Sequence, residues 1–123
     1  MLLQHRGRKS GVLRETVIEI IDQDKERGKI YAASGFGESS QWFKNICADN
    51  GVLLTIKNKE FPARARVLGT QASEQVLKRY ARVHPRSIRG VAKLSGYRMD
   101  GSESDVTEFS RIIKIIEFSK VEP

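Results

Sequence analysis

A short basic turn near the start of the chain groups residue types that bind phosphate. The run Gly7–Gly11 reads Gly-Arg-Lys-Ser-Gly, and Arg14 follows three residues later. Arginine offers a fork of N–H donors, lysine offers a point charge, and glycines let a turn expose its backbone amides. We therefore predict a phosphate site made of Arg8, Lys9, Ser10 and Arg14. A solvated basic turn without a ligand is the alternative interpretation.

A glycine-containing segment at residues 35–40 follows a predicted strand and precedes a predicted helix. It reads Gly-Phe-Gly-Glu-Ser-Ser, so it lacks the third glycine of a dinucleotide-binding loop, and no strand–helix–strand unit surrounds it. We therefore exclude a Rossmann-type site. Because Gly35 and Gly37 carry no Cβ, their backbone could still approach a flat ligand closely. A strand-to-helix connection without any ligand is the alternative interpretation of the same residues.

Metal and nucleophilic chemistry have little support in the sequence. His5 and His84 are the only histidines, and neither lies at a ligand spacing from Cys47. Cys47 falls on the apolar side of a predicted helix, so we expect a buried, unreactive thiol. The paired carboxylates lie in predicted loops, where solvated charge explains them. We predict no metal site and find no residue set for hydrolysis.

Length and composition limit the class of protein. With 123 residues, 39 % hydrophobic and 30 % charged, the chain is predicted to form a single domain over residues 1–123. The net charge of +7 favours an anionic partner without choosing among nucleic acid, acidic lipid and a phosphorylated small molecule. No apolar run approaches the roughly 18 residues of a membrane span, so we expect no integral membrane segment. The single cysteine favours a reducing cytoplasm.

The apolar patterns predict about six strands and two or three helices. Strands are predicted at residues 13–21, 29–34, 52–56, 60–68 and 109–118, with a further strand before the basic turn. Helices are predicted after a Ser39 or Ser40 cap, from Ala72 to Val83 with Thr70 as cap, and from Arg86 to Leu94. Residues 22–28 and 101–105 read as loops. Because hairpins dominate, we expect an α+β fold, a mostly antiparallel sheet or small barrel with helices packed on it.

The order of these motifs resembles one known family. After the basic turn come Ala33-Ser34-Gly35 at a strand end, the helical run Trp42-Phe43-Lys44-Asn45-Ile46, the basic strand Ala63-Arg64-Ala65-Arg66, the pair His84-Pro85, and a terminal Val121-Glu122-Pro123. This succession covers nearly the whole chain and resembles the deazaflavin-dependent nitroreductases, oxidoreductases that use reduced coenzyme F-420. No single motif is decisive, but their order is fairly specific.

The resemblance implies a split β-barrel related to FMN-binding oxidoreductases. It implies transfer of a hydride from the reduced deazaflavin to a small, electron-poor acceptor, apolar or aromatic, such as a quinone, nitroarene or enone. Lys9 and Arg14, with Arg8 and Ser10 nearby, would bind the coenzyme's phosphate. Residues implied around the deazaflavin ring are Ser34, Gly35 and Gly37 along its edge, Trp42 and Asn45 from the helix, and Val17 and Ile18 as an apolar wall. Trp42 could equally be a core anchor, and Ser34 and Tyr31 are proton-donor candidates by location only.

Three other functions remain open from the sequence. FMN is the alternative cofactor on the same fold, and a non-catalytic carrier of reduced cofactor would have the same pocket. A nucleic-acid-binding module would use the positive charge on one predicted strand and on the helices, at Arg64, Arg66, Lys78, Arg79, Arg82, Arg86 and Arg89. The exposed strands lack the aromatic set that stacks on bases, which argues against that module. Paired barrels in flavin-binding relatives make a homodimer a further expectation.

Overall fold

A computed structural model describes residues 1–34, 40–94 and 102–121, in which seven strands form one sheet. The strands are β1 (Leu2–Arg6), β2 (Leu13–Val17), β3 (Ile20–Asp24), β4 (Lys29–Ser34), β5 (Gly51–Ile56), β6 (Lys59–Val67) and β7 (Lys114–Lys120). The helices are α1 (Gln41–Ala48), α2 (Thr70–Val83), α3 (Pro85–Leu94) and α4 (Glu103–Phe109). The strand order is β2-β1-β5-β6-β7-β4-β3, and every neighbouring pair is antiparallel.

Tight turns fix the register of the hairpins. Lys57 and Asn58 join β5 to β6 with φ values of 50° and 67°, the left-handed pair that a two-residue hairpin needs. In the turn between β1 and β2, Gly11 has a φ of 72°, and its N–H donates to the Gly7 carbonyl oxygen at 2.8 Å. A glycine adopts this conformation without steric cost, so the basic turn can double back sharply.

The sheet curls around one apolar cluster and carries a second on its outer face. The interior cluster includes Leu3, Ile30, Ala32, Leu54, Ile116 and Phe118, and α1 adds Phe43 and Ile46. The outer cluster joins the last strand to α2, α3 and α4 through Leu77, Tyr80, Ile88, Phe109 and Ile115. Alternation along β7 explains this division, because Ile115 and Ile116 point to opposite faces. No helix in the described ranges is both long and apolar enough to cross a membrane.

The single strand predicted over residues 13–21 is wrong, because the chain forms two strands there. β2 and β3 lie at opposite ends of the strand order, joined by Ile18 and Glu19. At the junction the Ile18 N–H donates to the Met1 carbonyl oxygen at 2.9 Å, and the Met1 amino group donates to the Ile18 carbonyl oxygen at 3.1 Å. A run of β-branched residues predicts extended backbone, but it does not reveal where that backbone changes its neighbours.

The predicted loop at 101–105 and the strand predicted from Phe109 are also wrong. Within the described residues, α4 begins at Glu103, and the Ser102 Oγ accepts from the Asp105 N–H at 3.2 Å. Acidic residues in the first turn complement the positive end of the helix dipole. β7 then begins at Lys114. In the described part of the chain, seven strands and four helices thus replace the predicted six strands and two or three helices.

Three smaller expectations about the helices need correction. Gly69 occupies the N-cap position of α2, which Thr70 begins. Ser40 precedes α1 as predicted, but its side chain makes no capping hydrogen bond. Cys47 is exposed, because it lies about 100° around the helix axis from the buried Ile46 and beyond the buried arc. Asn45 takes a place on that buried arc instead.

Candidate functional site

The basic turn and the start of α1 enclose a pocket of about 330 Å³. Its lining residues are Gly7, Arg8, Lys9, Ser10, Arg14, Gln41 and Asn45. The structure therefore brings together all four members of the predicted phosphate site and one residue predicted for the ring. Gly7 and Gln41 were not predicted as site residues. Gln41 gives little signal in the sequence, because a polar first residue is ordinary for an exposed helix start.

Backbone hydrogen bonds close the basic turn and leave the cationic side chains exposed. The Gly7 N–H donates to the Val12 carbonyl oxygen at 2.9 Å, and the Val12 N–H donates to the Ser10 Oγ at 3.2 Å. A Cβ at Gly7 would stand 2.8 Å from that same Oγ, so a larger residue would push the serine away. The two long side chains at the tip, Arg8 and Lys9, are exposed. The turn thus presents its positive charge outward from a closed backbone.

A buried amide ties the turn to the helix. The Asn45 Oδ1 accepts from the Arg8 N–H at 3.1 Å and from the Arg8 Nη1 at 2.9 Å. The Asn45 Nδ2 lies 3.0 Å from the His5 Nδ1, and both residues are buried. We call His5, Arg8 and Asn45 the Asn45 cluster. His5 was considered only as a metal ligand, although its alternation with the buried Leu3 on β1 could have placed it in the interior.

The electrostatics of the pocket favour an anion. Its lining contains three cations, Arg8, Lys9 and Arg14, and the described lining includes no acidic side chain. Burial, and then the charge of Arg14, lower the pKa of His5 below its ordinary 6.5. His5 is therefore neutral at pH 7 and adds no charge to the site. Three cations that line one pocket form an arrangement that suits a phosphate.

The predicted ring-binding residues are distributed near the junction of β4 and α1. Ser34 is buried, and its Oγ lies 3.0 Å from the Ser40 Oγ, which connects the strand end to the helix start. Trp42 is half-buried against the interior cluster and makes an edge contact with Phe43, with ring centroids 6.4 Å apart. Gly35 and Gly37 lie outside the described residues. Trp42 thus has the core contacts of the alternative interpretation.

The predicted wall of Val17 and Ile18 is divided between two faces. Ile18 is buried in the interior cluster, whereas Val17 is 78 % exposed. Consecutive residues of an extended chain point to opposite sides, so both cannot line one slot. Val17 therefore belongs to the outer surface of the edge strand, together with the exposed Leu13.

Tyr31 lies on the opposite face of β4 from Ser34 and contacts a buried carboxylate. Its hydroxyl donates to the Glu117 Oε2 at 3.1 Å, while Lys29 Nζ and Arg66 Nη2 reach the Oε1 at 3.3 Å and 3.1 Å. We call Lys29, Tyr31, Arg66 and Glu117 the Glu117 cluster. Burial, followed by the Glu117 charge, raises the pKa of Tyr31. Tyr31 is therefore unsuited to donate a proton in the pocket.

Two other classes of site find little support in the described parts of the chain. Those parts hold no group of three or more histidine, cysteine or carboxylate side chains that could bind a metal ion. Several cations considered for nucleic acid are paired with acids. Arg66 reaches Glu117, Lys78 Nζ lies 2.9 Å from the Glu74 Oε1, and Arg79 Nε lies 3.5 Å from the Asp22 Oδ2. These pairs weaken the continuous positive face that a nucleic acid would need.

Comparison with known proteins assigns the sequence to a family. The model of a family described as F420H2-dependent quinone reductase matches residues 1–92. No curated protein matches the sequence significantly.

Solved structures share the fold. An F420-H2 dependent reductase is 20 % identical with a TM-score of 0.65, and the match covers 96 % of this chain and 91 % of the other. A structure described as a domain-swapped dimer has the same identity and score, covering 96 % and 78 %. A conserved hypothetical protein from Mycobacterium tuberculosis is 16 % identical with a TM-score of 0.63, covering 98 % and 72 %. These likenesses confirm the predicted split β-barrel.

Proposed function

Because the chain belongs to the F420H2-dependent quinone reductase family and is an oxidoreductase that uses the reduced deazaflavin coenzyme, we propose that the basic turn and its pocket bind the phosphate of that coenzyme. One observation carries the proposal. Arg8, Lys9 and Arg14 converge on a single pocket whose described lining holds no acid. A solvated turn needs no such convergence, and it needs no buried asparagine to anchor its backbone.

The residues present fit the coenzyme. Lys9 and Arg14 would hold the phosphate as a point charge and a fork, while the Ser10 hydroxyl would donate a further hydrogen bond. Ser34 and Trp42, at the junction of β4 and α1, are retained in this proposal as residues that contact the ring. We retain Gly35 and Gly37 as its predicted edge. A planar ring needs an apolar slot with a few oriented polar groups, which these residue types supply.

The chain's own residues act by holding and orienting. When bound, the reduced deazaflavin supplies a hydride to an electron-poor acceptor, for which we propose a quinone. The Asn45 cluster fixes the turn against α1, so the phosphate site is formed before the coenzyme arrives. Ser34, held by Ser40, would present a hydroxyl beside the ring. No proton donor among the described residues is required if the product takes its proton from water.

We also propose that the 123-residue chain is a single domain and that it works in a reducing cytoplasm. We further propose that two copies of it pair into a homodimer. The edge strand β2 exposes Leu13 and Val17, and the neighbouring turn exposes Val12. An exposed apolar edge strand favours pairing with a second chain. Light scattering should give twice the monomer mass, and Val17→Lys should shift the protein to monomer. A monomeric wild type at micromolar concentration would refute the dimer.

Titration with oxidised deazaflavin coenzyme, followed by its fluorescence, tests the phosphate site. The double variant Lys9→Ala, Arg14→Ala should lose at least about 100-fold in affinity, since two charge-assisted contacts disappear. The double variant Lys25→Ala, Arg27→Ala is the matched control, because it removes the same charge from the hairpin turn between β3 and β4. Equal losses in both variants would mean that overall charge, not the pocket, binds the coenzyme.

Turnover and cofactor choice complete the test. Oxidation of the reduced coenzyme by a water-soluble quinone should follow the affinity order of the variants. Binding without turnover would indicate a carrier. A parallel titration with FMN should show weaker binding, because the family match assigns the deazaflavin as cofactor. FMN binding alone, with no response to the deazaflavin, would contradict that cofactor.

A further inference from the structure

We propose that His5 is a positioning residue for the phosphate site, acting through Asn45 to hold the basic turn in its binding geometry. The inference rests on the proposed function of that turn. His5 is not among the residues that line the phosphate pocket, so any effect it has on the ligand passes through its neighbours. The geometry indicates which neighbour transmits the effect, because the Asn45 amide bonds to both His5 and Arg8.

The orientation of the Asn45 amide follows from its two sides. The Oδ1 accepts two hydrogen bonds from Arg8, one from the backbone N–H and one from the guanidinium. The Nδ2 therefore faces His5, and an amide nitrogen can only donate. The His5 Nδ1 must then accept, which fixes the neutral tautomer that carries its proton on Nε2. The hydrogen bonds of this one amide therefore depend on the protonation state of His5, and they also hold the backbone of Arg8.

Protonation of His5 would break this arrangement. A charged imidazole carries an N–H on both nitrogens, so its Nδ1 would meet the Asn45 Nδ2 as one donor facing another. Rotation of the amide would relieve that clash but would turn the Nδ2 toward the two Arg8 donors. Either response leaves buried groups unpaired and releases the turn from α1. A ligand would then have to order the turn as it binds, which weakens its affinity.

The surroundings of His5 keep it neutral near pH 7. Arg14 faces it across the β1–β2 pairing, and Arg8 bonds to the far end of the Asn45 amide that contacts His5. His5 also borders a groove whose charged lining residues are Arg6 from β1, Asp49 from the end of α1 and Arg64 from β6. Burial and the charge of Arg14 lower the pKa of His5 below 6.5. The switch from holding to release therefore falls on the acid side of that value.

Coenzyme binding to four proteins between about pH 5 and pH 8 tests the role. For wild type we expect constant affinity above pH 6.5 and a decline of roughly tenfold in acid. His5→Asn places an oxygen where the Nδ1 stood and does not titrate, so it should bind like wild type at high pH without the acid decline. His5→Leu has no acceptor and should bind roughly tenfold more weakly at every pH. The matched control, His84→Asn, removes the other histidine and should keep the wild-type profile.

A second measurement works without ligand. In nitrogen-15 spectra of the free protein, His5 should show the neutral tautomer with its proton on Nε2, and the Arg8 amide signal should titrate with it. In His5→Asn the Arg8 signal should stay constant. Thermal unfolding of each variant confirms that it is folded.

Several results would overturn the positioning role. They are an acid decline shared by wild type and His5→Asn, full affinity in His5→Leu, or an Arg8 signal that ignores the titration of His5. Affinity that rises in acid for wild type alone would mean that charged His5 attracts the phosphate directly, which also overturns it. Absence of binding in all four folded proteins, with Arg8 still following His5, would refute the proposed function while the coupling of His5 to the turn stands.

Discussion

The two buried polar clusters of this protein differ in charge and in what they support. The Asn45 cluster is built around a neutral amide and a neutral histidine, and it ends on a turn that lines an open pocket. The Glu117 cluster is built around a carboxylate that accepts from three side chains of β4 and β6. The first leaves its one cation, Arg8, exposed at the pocket, whereas the second pairs its two cations with its own acid.

This difference assigns the clusters to different tasks. A carboxylate that is only 6 % exposed must have its partners, because burying an unpaired charge is costly. Glu117 therefore ties three strands together at the centre of the sheet. Asn45 carries no charge, and its hydrogen bonds orient a turn at the rim. We expect loss of the Glu117 cluster to lower stability, and loss of the Asn45 cluster to lower affinity for the coenzyme.

The largest expected effect is on folding. Glu117→Ala should lower the free energy of unfolding by about 2 kcal/mol, because Tyr31 and Lys29 lose a buried acceptor. Coenzyme affinity should change by less than about twofold. Urea unfolding and a fluorescence titration measure the two quantities. Glu60→Ala, at an exposed position of β6, is the matched control and should stay within about 0.5 kcal/mol of wild type. A large loss of affinity in Glu117→Ala would break the distinction between the clusters.

The next effect is on binding. Asn45→Ala should weaken coenzyme affinity about tenfold and lower stability by about 1 kcal/mol, since it removes the acceptor that anchors Arg8. The same two measurements apply. Asn50→Ala, at the exposed end of α1, makes the same chemical change away from the pocket and should alter neither. Unchanged affinity with a large loss of stability would show that both clusters serve the fold alone.

The contrast also marks what the sequence can predict. Arg8, Lys9, Ser10 and Arg14 are close neighbours in the chain, so a local motif was enough to group them. Asn45 and His5 are forty residues apart, and their contact depends on how α1 packs against β1. Single residues on a helix and a strand do not predict such a pair. The family resemblance implied Asn45 as a site residue, but nothing in the sequence connected it to His5.

Most of the antiparallel sheet was predictable, but its ends were not. The strand over 29–34 and the hairpin of β5 and β6 follow from alternation and turn residues. The isoleucines after residue 111 misled the prediction, because Ile112 is exposed, Ile113 packs on the helices and only the later ones lie in β7. Tertiary burial decided between loop and strand there, and β-branched residues alone carry no such information.

The two clusters should respond to acid in different pH ranges. Burial raises the pKa of Glu117, but hydrogen bonds from Lys29 and Tyr31 and the charge of Arg66 bring it below 4.5. Its contribution to stability is therefore complete above pH 4.5 and is lost as the pH falls through the lower, folded-state value. The pKa of His5 is also lowered, so its neutral form begins to be lost below pH 6.5. Coenzyme binding should thus weaken on the acid side of pH 6.5, and the Glu117 cluster should fail on the acid side of pH 4.5.

Urea unfolding of wild type and Glu117→Gln across this pH range tests the expected response of the Glu117 cluster. The difference in unfolding free energy should be constant above pH 4.5 and should shrink below it, because glutamine does not titrate. A difference that already shrinks near pH 6 would contradict the prediction, because Glu117 would then lose its contribution to stability well above pH 4.5.

The smallest effect comes from removing one exposed arginine from each cluster. Arg66 is 69 % exposed, so Arg66→Ala should cost only about 0.5 kcal/mol of stability, with Lys29 and Tyr31 still on Glu117. Arg8→Ala should weaken coenzyme binding about threefold, because the backbone N–H stays on Asn45 while the guanidinium leaves the pocket. Measured together, the two variants remove the same side chain and the same charge. If each variant changes stability and coenzyme affinity in the same proportion, the distinction between a cluster for stability and a cluster for binding is wrong.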